Sequence, residues 1–172
     1  MRKVRYSLVM SLDGRISGPK GENDWIVHNP EIDFSEIFSQ FDTILVGRRT
    51  FDEMARAGRT SIPGMETIVF SKTLEQGEYP GVTVVGKDHK KAIDALRKQK
   101  GKDIWLFGGG SLFQSLLADK LVDTVEVSVL PVLLGGGTLL LPSPAPRTPL
   151  KLENYKVYKN GTVSLVYSIK RP

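Results

Sequence analysis

Three short segments combine glycine, hydroxyl and cationic residues in the way phosphate binding requires. Gly47-Arg48-Arg49-Thr50 closes a β-branched run and opens a helix-like stretch. Glycine there admits a ligand against the backbone, and unpaired N–H groups at a helix start donate to phosphate oxygens, as a threonine hydroxyl can. Arginine adds a forked pair of donors. Gly108-Gly109-Gly110-Ser111 again joins an expected strand to an expected helix. It carries Gly-x-Gly, but Phe113 stands where a Rossmann fingerprint has its third glycine. Ser71-Lys72-Thr73 follows the run 67–70 and offers a hydroxyl and an ammonium to a further phosphate. Each segment alone is also what an ordinary turn contains. All three fall at the carboxyl ends of expected strands, where open α/β sheets bind their ligands.

Four carboxylates surround an early loop and the segment after it: Asp13, Asp24, Glu31 and Asp33. Hydride delivery to a C=N or C=O carbon needs a proton donor nearby, direct or through water. Asp13, Glu31 and Asp33 are the catalytic candidates. Each has an ordinary structural use as well: Asp13-Gly14 is a common turn pair, Glu31 suits the positive end of a helix dipole, and Asp33 can sit on the surface. Trp25 either stacks on a planar ring or closes the core.

Periodicity supplies the elements that must position these groups. Val4–Ser11 is a short apolar run with little charge, a buried strand, and Asp13-Gly14 begins a loop through Gly18, Pro19, Gly21 and Asn23. Asn29 as N-cap and Pro30 at the first helical position start a helix with Phe34, Ile37, Phe38 and Phe41 on one apolar face. Residues 43–46, 67–70, 82–85 and 104–107 read as strands, and 49–57 as a helix. Asp88 caps a helix reaching Lys100 with Ala92, Ala95 and Leu96 inward. Leu112, Phe113, Leu116 and Leu117 pair at helical spacing after the glycine triplet. Val125, Val127 and Val129 alternate with Glu126 and Ser128, a half-buried strand. Asn160-Gly161, between 155–158 and the alternating Val163, Leu165, Tyr167 and Ile169, signals a hairpin. Strands alternating with helices predict an α/β fold of three layers: a mainly parallel, mixed sheet, helices on both faces, and a C-terminal antiparallel hairpin. No linker or repeat divides the chain, so one domain over residues 1–172 is expected.

Composition narrows the chemistry. The 172 residues contain no cysteine and two histidines, so disulfides, thiolate nucleophiles and cysteine-ligated zinc are excluded, and no metal centre is expected. The lack of cysteine fits a reducing cytoplasm. No apolar run approaches the length of a membrane span. A net charge of +5 points to an anionic ligand. Nucleic acid is one such ligand, but the cations are scattered, without the interleaved aromatics of a single-strand binder. Lys90, Lys91, Arg97, Lys98, Lys100 and Lys102 read as the solvated face of one helix.

In this order the segments resemble the dihydrofolate reductase-like superfamily, closest in type to stand-alone relatives of the riboflavin-biosynthesis reductase domain. The resemblance covers nearly the whole chain. It rests on Met10-Ser11-Leu12-Asp13-Gly14-Arg15-Ile16, on Asp42-Thr43-Ile44-Leu45-Val46-Gly47-Arg48-Arg49-Thr50-Phe51, on Ile68-Val69-Phe70-Ser71-Lys72 and on Leu106-Phe107-Gly108-Gly109-Gly110-Ser111-Leu112-Phe113. It implies an NADPH-dependent reductase acting on a pterin-like or ribosylaminopyrimidine substrate. Gly47, Arg48, Arg49 and Thr50 would bind the cofactor phosphates, Ser71 and Lys72 the adenosine end and its 2′-phosphate. Gly108, Gly109, Gly110, Ser111 and Leu112 would wrap the pyrophosphate and the nicotinamide side. Ser11, Asp13 and Trp25 would border the substrate. The carboxylate that holds the pterin in dihydrofolate reductases maps to Glu31 or Asp33. The resemblance also implies a homodimer. The apolar segment 130–141 either packs on that partner or supplies an inner strand at 139–141.

The departures are as informative. Ser7 replaces the lysine that riboflavin-pathway reductases carry on the first strand, Gly108 replaces a glutamate, and Phe51-Asp52-Glu53-Met54 does not match their Asp-Asn-Pro segment. Those groups face the phosphoribosyl pyrimidine, so their loss weakens the case for that substrate and leaves the cofactor half intact. The zinc site of the deaminase that often accompanies this reductase cannot be built in these 172 residues, for want of cysteine. Two other classes are an NADPH-binding member of the fold that catalyses nothing, and a basic nucleic-acid-binding protein.

Overall fold

The computed structural model describes residues 1–171; Pro172, the last residue of the expected domain, lies outside them. Strand β1 (Val4–Ser11) is followed by a short β2 (Arg15–Ser17), then by helix α1 (Phe34–Ser39), β3 (Phe41–Gly47) and α2 (Arg48–Arg56). Next come β4 (Glu66–Phe70), β5 (Val82–Val85), α3 (His89–Lys98), β6 (Asp103–Gly108) and α4 (Gly110–Ala118). The chain closes with β7 (Thr124–Leu130), β8 (Thr138–Leu139), β9 (Leu150–Val157) and β10 (Val163–Ile169). Eight strands form one sheet in the order β5-β4-β3-β6-β1-β7-β10-β9, while β2 and β8 pair apart from it. The pairings from β5 to β7 are parallel, and β10 runs antiparallel to both β7 and β9. The expected mixed sheet with a terminal hairpin is therefore the observed fold.

Side-chain alternation along the strands makes two cores. On one face, Leu45, Leu106, Tyr6 and Val127 meet Ile93 and Leu96 of α3 and Leu112, Phe113, Leu116 and Leu117 of α4. On the other, Ile44, Val46, Val69 and Trp105 meet Phe51 of α2. Several cations are committed to structure. Arg2 pairs with Asp42, Arg5 with Glu126, and both Arg97 and Arg171 with Asp123. Arg97 thus leaves the solvated face assigned to it, and a minority of the scattered positive charge is locally neutralised. No helix among the described residues is long and apolar enough to cross a membrane.

The first helix departs most from expectation. It starts at Phe34, with Asp33 rather than Asn29 as cap: the Asp33 carboxylate accepts the N–H groups of Ser35 at 2.9 Å and Glu36 at 3.1 Å. Asn29 is buried and engaged elsewhere, accepting Glu31 N–H at 2.9 Å and donating to Asn160 at 3.2 Å. Pro30 consequently lies in a turn, and Phe41 opens β3. In α3, Asp88 caps as expected, accepting Lys91 N–H at 3.0 Å. The helix ends at Lys98, and its buried residues are Ile93 and Leu96, with Ala95 exposed. Within segment 130–141, Thr138–Leu139 pairs with β2 and Leu140 and Leu141 lie against the α3–α4 core, while Leu133 and Leu139 stay exposed.

Strand β9 is longer than the sequence suggested and is exposed along its length. A β-bulge between Val166 and Tyr167 shifts its register, so Val157, Tyr155, Leu152 and Leu150 pair with Val163, Leu165, Tyr167 and Ile169. Paired residues share a face, and the bulge thereby keeps all four apolar side chains of β9 on one side despite the odd step from 152 to 155.

Candidate active site

The carboxyl ends of β3, β4 and β6 open onto one cavity of about 740 Å3. Gly47 caps α2 and Gly109 caps α4, and neither helix start is closed by a side-chain hydrogen bond. Their first N–H groups are therefore available to an anion, at the positive ends of the two helix dipoles. Glycine is needed at the second turn for space. A Cβ on Gly109 would stand 3.3 Å from the Thr50 hydroxyl, and one on Gly110 would stand 2.7 Å from the Leu139 carbonyl oxygen.

Arg48 spans two of the three turns. Its Nε donates to Asp52 at 2.8 Å and its Nη1 to Thr73 at 3.3 Å. Ser71 is buried and organises the third turn by accepting N–H bonds from Thr73 at 3.2 Å and Leu74 at 3.0 Å. Arg49 and Lys72 are exposed, without an ion-pair partner among the described residues. The structure thus brings Gly47, Arg48, Arg49, Thr50, Ser71, Lys72, Gly108, Gly109, Gly110, Ser111 and Leu112 to the wall of a single cavity.

The far end of the cavity is built of rings. Phe38 lies 5.2 Å from Trp105 between centroids, Phe34 lies 6.2 Å from Phe38, and Phe107 stands edge-on to Trp105 at 5.0 Å. Trp105 is fixed by its indole N–H, which donates to the Ser7 carbonyl at 2.8 Å. Phe34 and Phe38 are 40% and 38% exposed, so the face of α1 that reads as core in the sequence is cavity wall. Sequence reasoning missed these rings, and missed His89, which meets Phe70 edge-on at 5.0 Å and also lines the cavity. The signal was present as the 34/37/38 spacing, but apolar periodicity does not distinguish a core from a pocket.

The expected acids and substrate contacts lie elsewhere. Asp13, Glu31, Asp33, Ser11 and Trp25 do not line the cavity. Asp13 accepts from the Ser11 hydroxyl at 2.6 Å, Leu134 N–H at 3.0 Å and Gly135 N–H at 2.9 Å. The Ser11 hydroxyl and then these amides hold its carboxyl down to about 2, so at neutral pH it has no proton to give. Ser11 is itself buried and accepts Arg15 N–H at 2.9 Å. Glu31 accepts Lys159 N–H at 3.1 Å, tying its segment to the hairpin turn. Asp33 caps α1, and the Ser35 hydroxyl, followed by the Glu36 amide, lowers its pKa. Trp25 is half-buried, donates to the Glu22 carbonyl at 3.2 Å, and belongs neither to the cavity wall nor to the two cores. No group of three His, Asp or Glu side chains fit to hold a metal ion occurs among the described residues.

One expected result follows for Asp13. Its pKa is depressed from 3.8 to about 2, so its contribution to stability is complete above 3.8 and is lost as pH falls through about 2. Asp13→Asn should mimic the acid state at neutral pH. Hydrogen exchange at the Leu134 and Gly135 amides should speed up in the variant, with the α3–α4 core unaffected; unchanged exchange would show that the carboxylate does not hold the loop.

The family model of the RibD C-terminal domain matches residues 2–164. The uncharacterized Bacillus subtilis (strain 168) protein YyaP is 34% identical, with 96% of this chain and 94% of that protein covered. A crystal structure of a putative riboflavin biosynthesis protein from Shewanella sp. PV-4 superposes with a TM-score of 0.84 at 24% identity, covering 99% of this chain and 100% of the other. Dihydrofolate reductase from Enterococcus faecalis, complexed with NADP(H) and RAB-propyl, superposes at 0.71 with 18% identity over 98% and 97% of the two chains. The last two share the fold. With a family model spanning nearly all of the sheet and the three turns at its carboxyl edge, the chain belongs to the RibD C-terminal domain family.

Proposed function

We propose that this chain is an NADPH-dependent reductase that adds hydride to a C=N or C=O carbon of a small planar substrate. One observation carries the reading: three phosphate-type turns converge on one end of a cavity whose other end is a wall of aromatic rings. The residues fit the dinucleotide. Uncapped starts of α2 and α4 can take the pyrophosphate, the close-packed glycines let it approach, and Arg48, Arg49, Ser71 and Lys72 can hold the adenosine end with its 2′-phosphate. Bound NADPH supplies the hydride. The chain's own part is to align the two rings face to face and keep bulk water from between them. Because Asp13, Glu31 and Asp33 stand outside the wall, the proton reaches the product through water, and these residues position the loop and helix around the substrate. A relative described as complexed with NADP(H) supports the cofactor assignment.

The test is calorimetric titration with NADPH and NADH, followed by NADPH oxidation against dihydrofolate, dihydropterins and the riboflavin-pathway pyrimidine. Tighter binding of NADPH with turnover is expected. Binding without turnover of any substrate would favour the non-catalytic member of the fold, and no binding of either cofactor would sink the reading.

The functional unit is a homodimer in this proposal. Supporting it, the bulged β9, the edge strand of the sheet, presents Leu150, Leu152, Tyr155 and Val157, which are 39–65% exposed, as one apolar stripe. Sedimentation velocity should find a dimer, and Tyr155→Asp with Val157→Asp a folded monomer. A dimer unchanged by both substitutions would move the interface elsewhere.

A further inference from the structure

The charges of the cavity are divided by position. Among the Lys, Arg, Asp and Glu residues that line it, Arg48, Arg49 and Glu53 lie on α2 and Lys72 in the turn after β4, all at the dinucleotide end. The ring end, walled by α1, the 23–32 segment, β1 and Trp105, has none. Its polar groups are neutral, and part of them are already spent. Asn29 bonds Asn160 and Glu31 N–H, and the Ser128 hydroxyl pairs with Ser164 at 2.9 Å. Ser7, Asn23 and the Thr162 hydroxyl remain to recognise a ligand. The charged groups just behind the wall are mostly committed as well, although the buried Arg15 Nε has no hydrogen-bond partner among the described residues. Arg5 lies over Phe41, 4.7 Å from its centroid, and is paired with Glu126; Arg15 donates to the Gly137 carbonyl at 3.1 Å; Glu31 accepts Lys159 N–H.

We infer that the ring end takes an uncharged, flat unsaturated ring compound, without a phosphate or carboxylate group inside the pocket. This rests on the reductase reading and narrows its substrate. A phosphate or carboxylate placed among Phe34, Ile37, Phe38 and Trp105 would lose part of its hydration and find no cation on the wall in return, a cost that disfavours it against a neutral ring. An amidine-like edge, which a carboxylate would grip with two parallel bonds, meets none on this wall. Flat faces, by contrast, find the exposed rings of Phe34 and Phe38 and the half-buried Phe107 to pack against, backed by the buried Trp105, with one or two neutral hydrogen bonds to fix orientation. The phosphate-binding capacity of the cavity is reserved for the cofactor.

The test uses a matched pair of planar ketones, isatin and its anion isatin-5-sulfonate, on the full-length protein saturated with NADPH. Calorimetry should find isatin bound about tenfold or more tightly than the sulfonate. Ser7→Lys, which adds an ammonium to the wall, should close or reverse that preference. Ile26→Lys, in the exposed loop, gives the same reading should the strand substitution impair folding. Equal or tighter binding of the sulfonate by the wild-type protein overturns the inference, as does binding of neither ketone. Failure of NADPH itself to bind, seen in the first titration, removes the reductase reading instead.

Discussion

Replacing Arg48 and Lys72 together by alanine is expected to raise the dissociation constant for NADPH about a hundredfold and that for NADH far less. A hydrogen bond from a cation to a phosphate contributes about 1.5–3 kcal/mol when sheltered, and both side chains are partly solvated, so the lower end of that range applies to each. Arg48 is already aimed: its bond to Thr73 ties the start of α2 to the turn after β4, where Lys72 stands. Its pair with Asp52 is a surface i,i+4 contact, with both side chains 37% exposed, and contributes well under about 1 kcal/mol. Asp52→Asn should therefore leave cofactor binding nearly unchanged, which separates the role of the guanidinium from that of its pair. Titration of both cofactors into each variant makes the comparison. An equal loss for NADH and NADPH would place these cations on the pyrophosphate and not on the 2′-phosphate.

Trp105→Ala should cost about 3–5 kcal/mol of folding stability. The indole is 7% exposed, lies 5.6 Å from Phe41 and 5.2 Å from Phe38 between centroids, and closes a hydrogen bond to the Ser7 carbonyl across β1 and β6. Truncation opens a void under α1 and leaves the Ser7 carbonyl without that partner. Urea unfolding followed by circular dichroism should show a lower midpoint at unchanged slope. Trp105→Phe keeps the ring and loses the bond, and should cost only about 1 kcal/mol. The two substitutions together distinguish packing from hydrogen bonding. Equal effects would assign the whole contribution to the N–H group.

What the sequence reveals here is local, and what it conceals is set by distant partners. The strand Val82–Val85, the Asp88 cap and the Asn160-Gly161 turn depend on neighbours within a few residues, and all three stand where periodicity and turn chemistry put them. The glycine turns are legible for the same reason: a strand end, a glycine and a helix start are adjacent in the chain. Asn29 looked like a helix cap because Pro30 follows it, yet its side chain is drawn to Asn160, far away in sequence. Asp13 looked like a proton donor beside a ligand, yet its oxygens are taken by amides at 134 and 135. Arg97 sat in a run of solvated cations but reaches Asp123 at 2.6 Å. In each case the chemistry of the side chain was readable, and the identity of its partner was not.

The position of β1 has a consequence for the birth of this protein. The first strand ends up in the interior of the sheet, with Val4 in register with Ile104 on one side and Ser11 with Leu130 on the other. A chain emerging from the ribosome therefore presents an apolar strand with two bare edges until β6 and β7 have been made. Contacts of that range close slowly, and an unpaired strand edge is a template for pairing with the wrong chain. Synthesis rate and chaperone supply should thus affect the yield of folded protein.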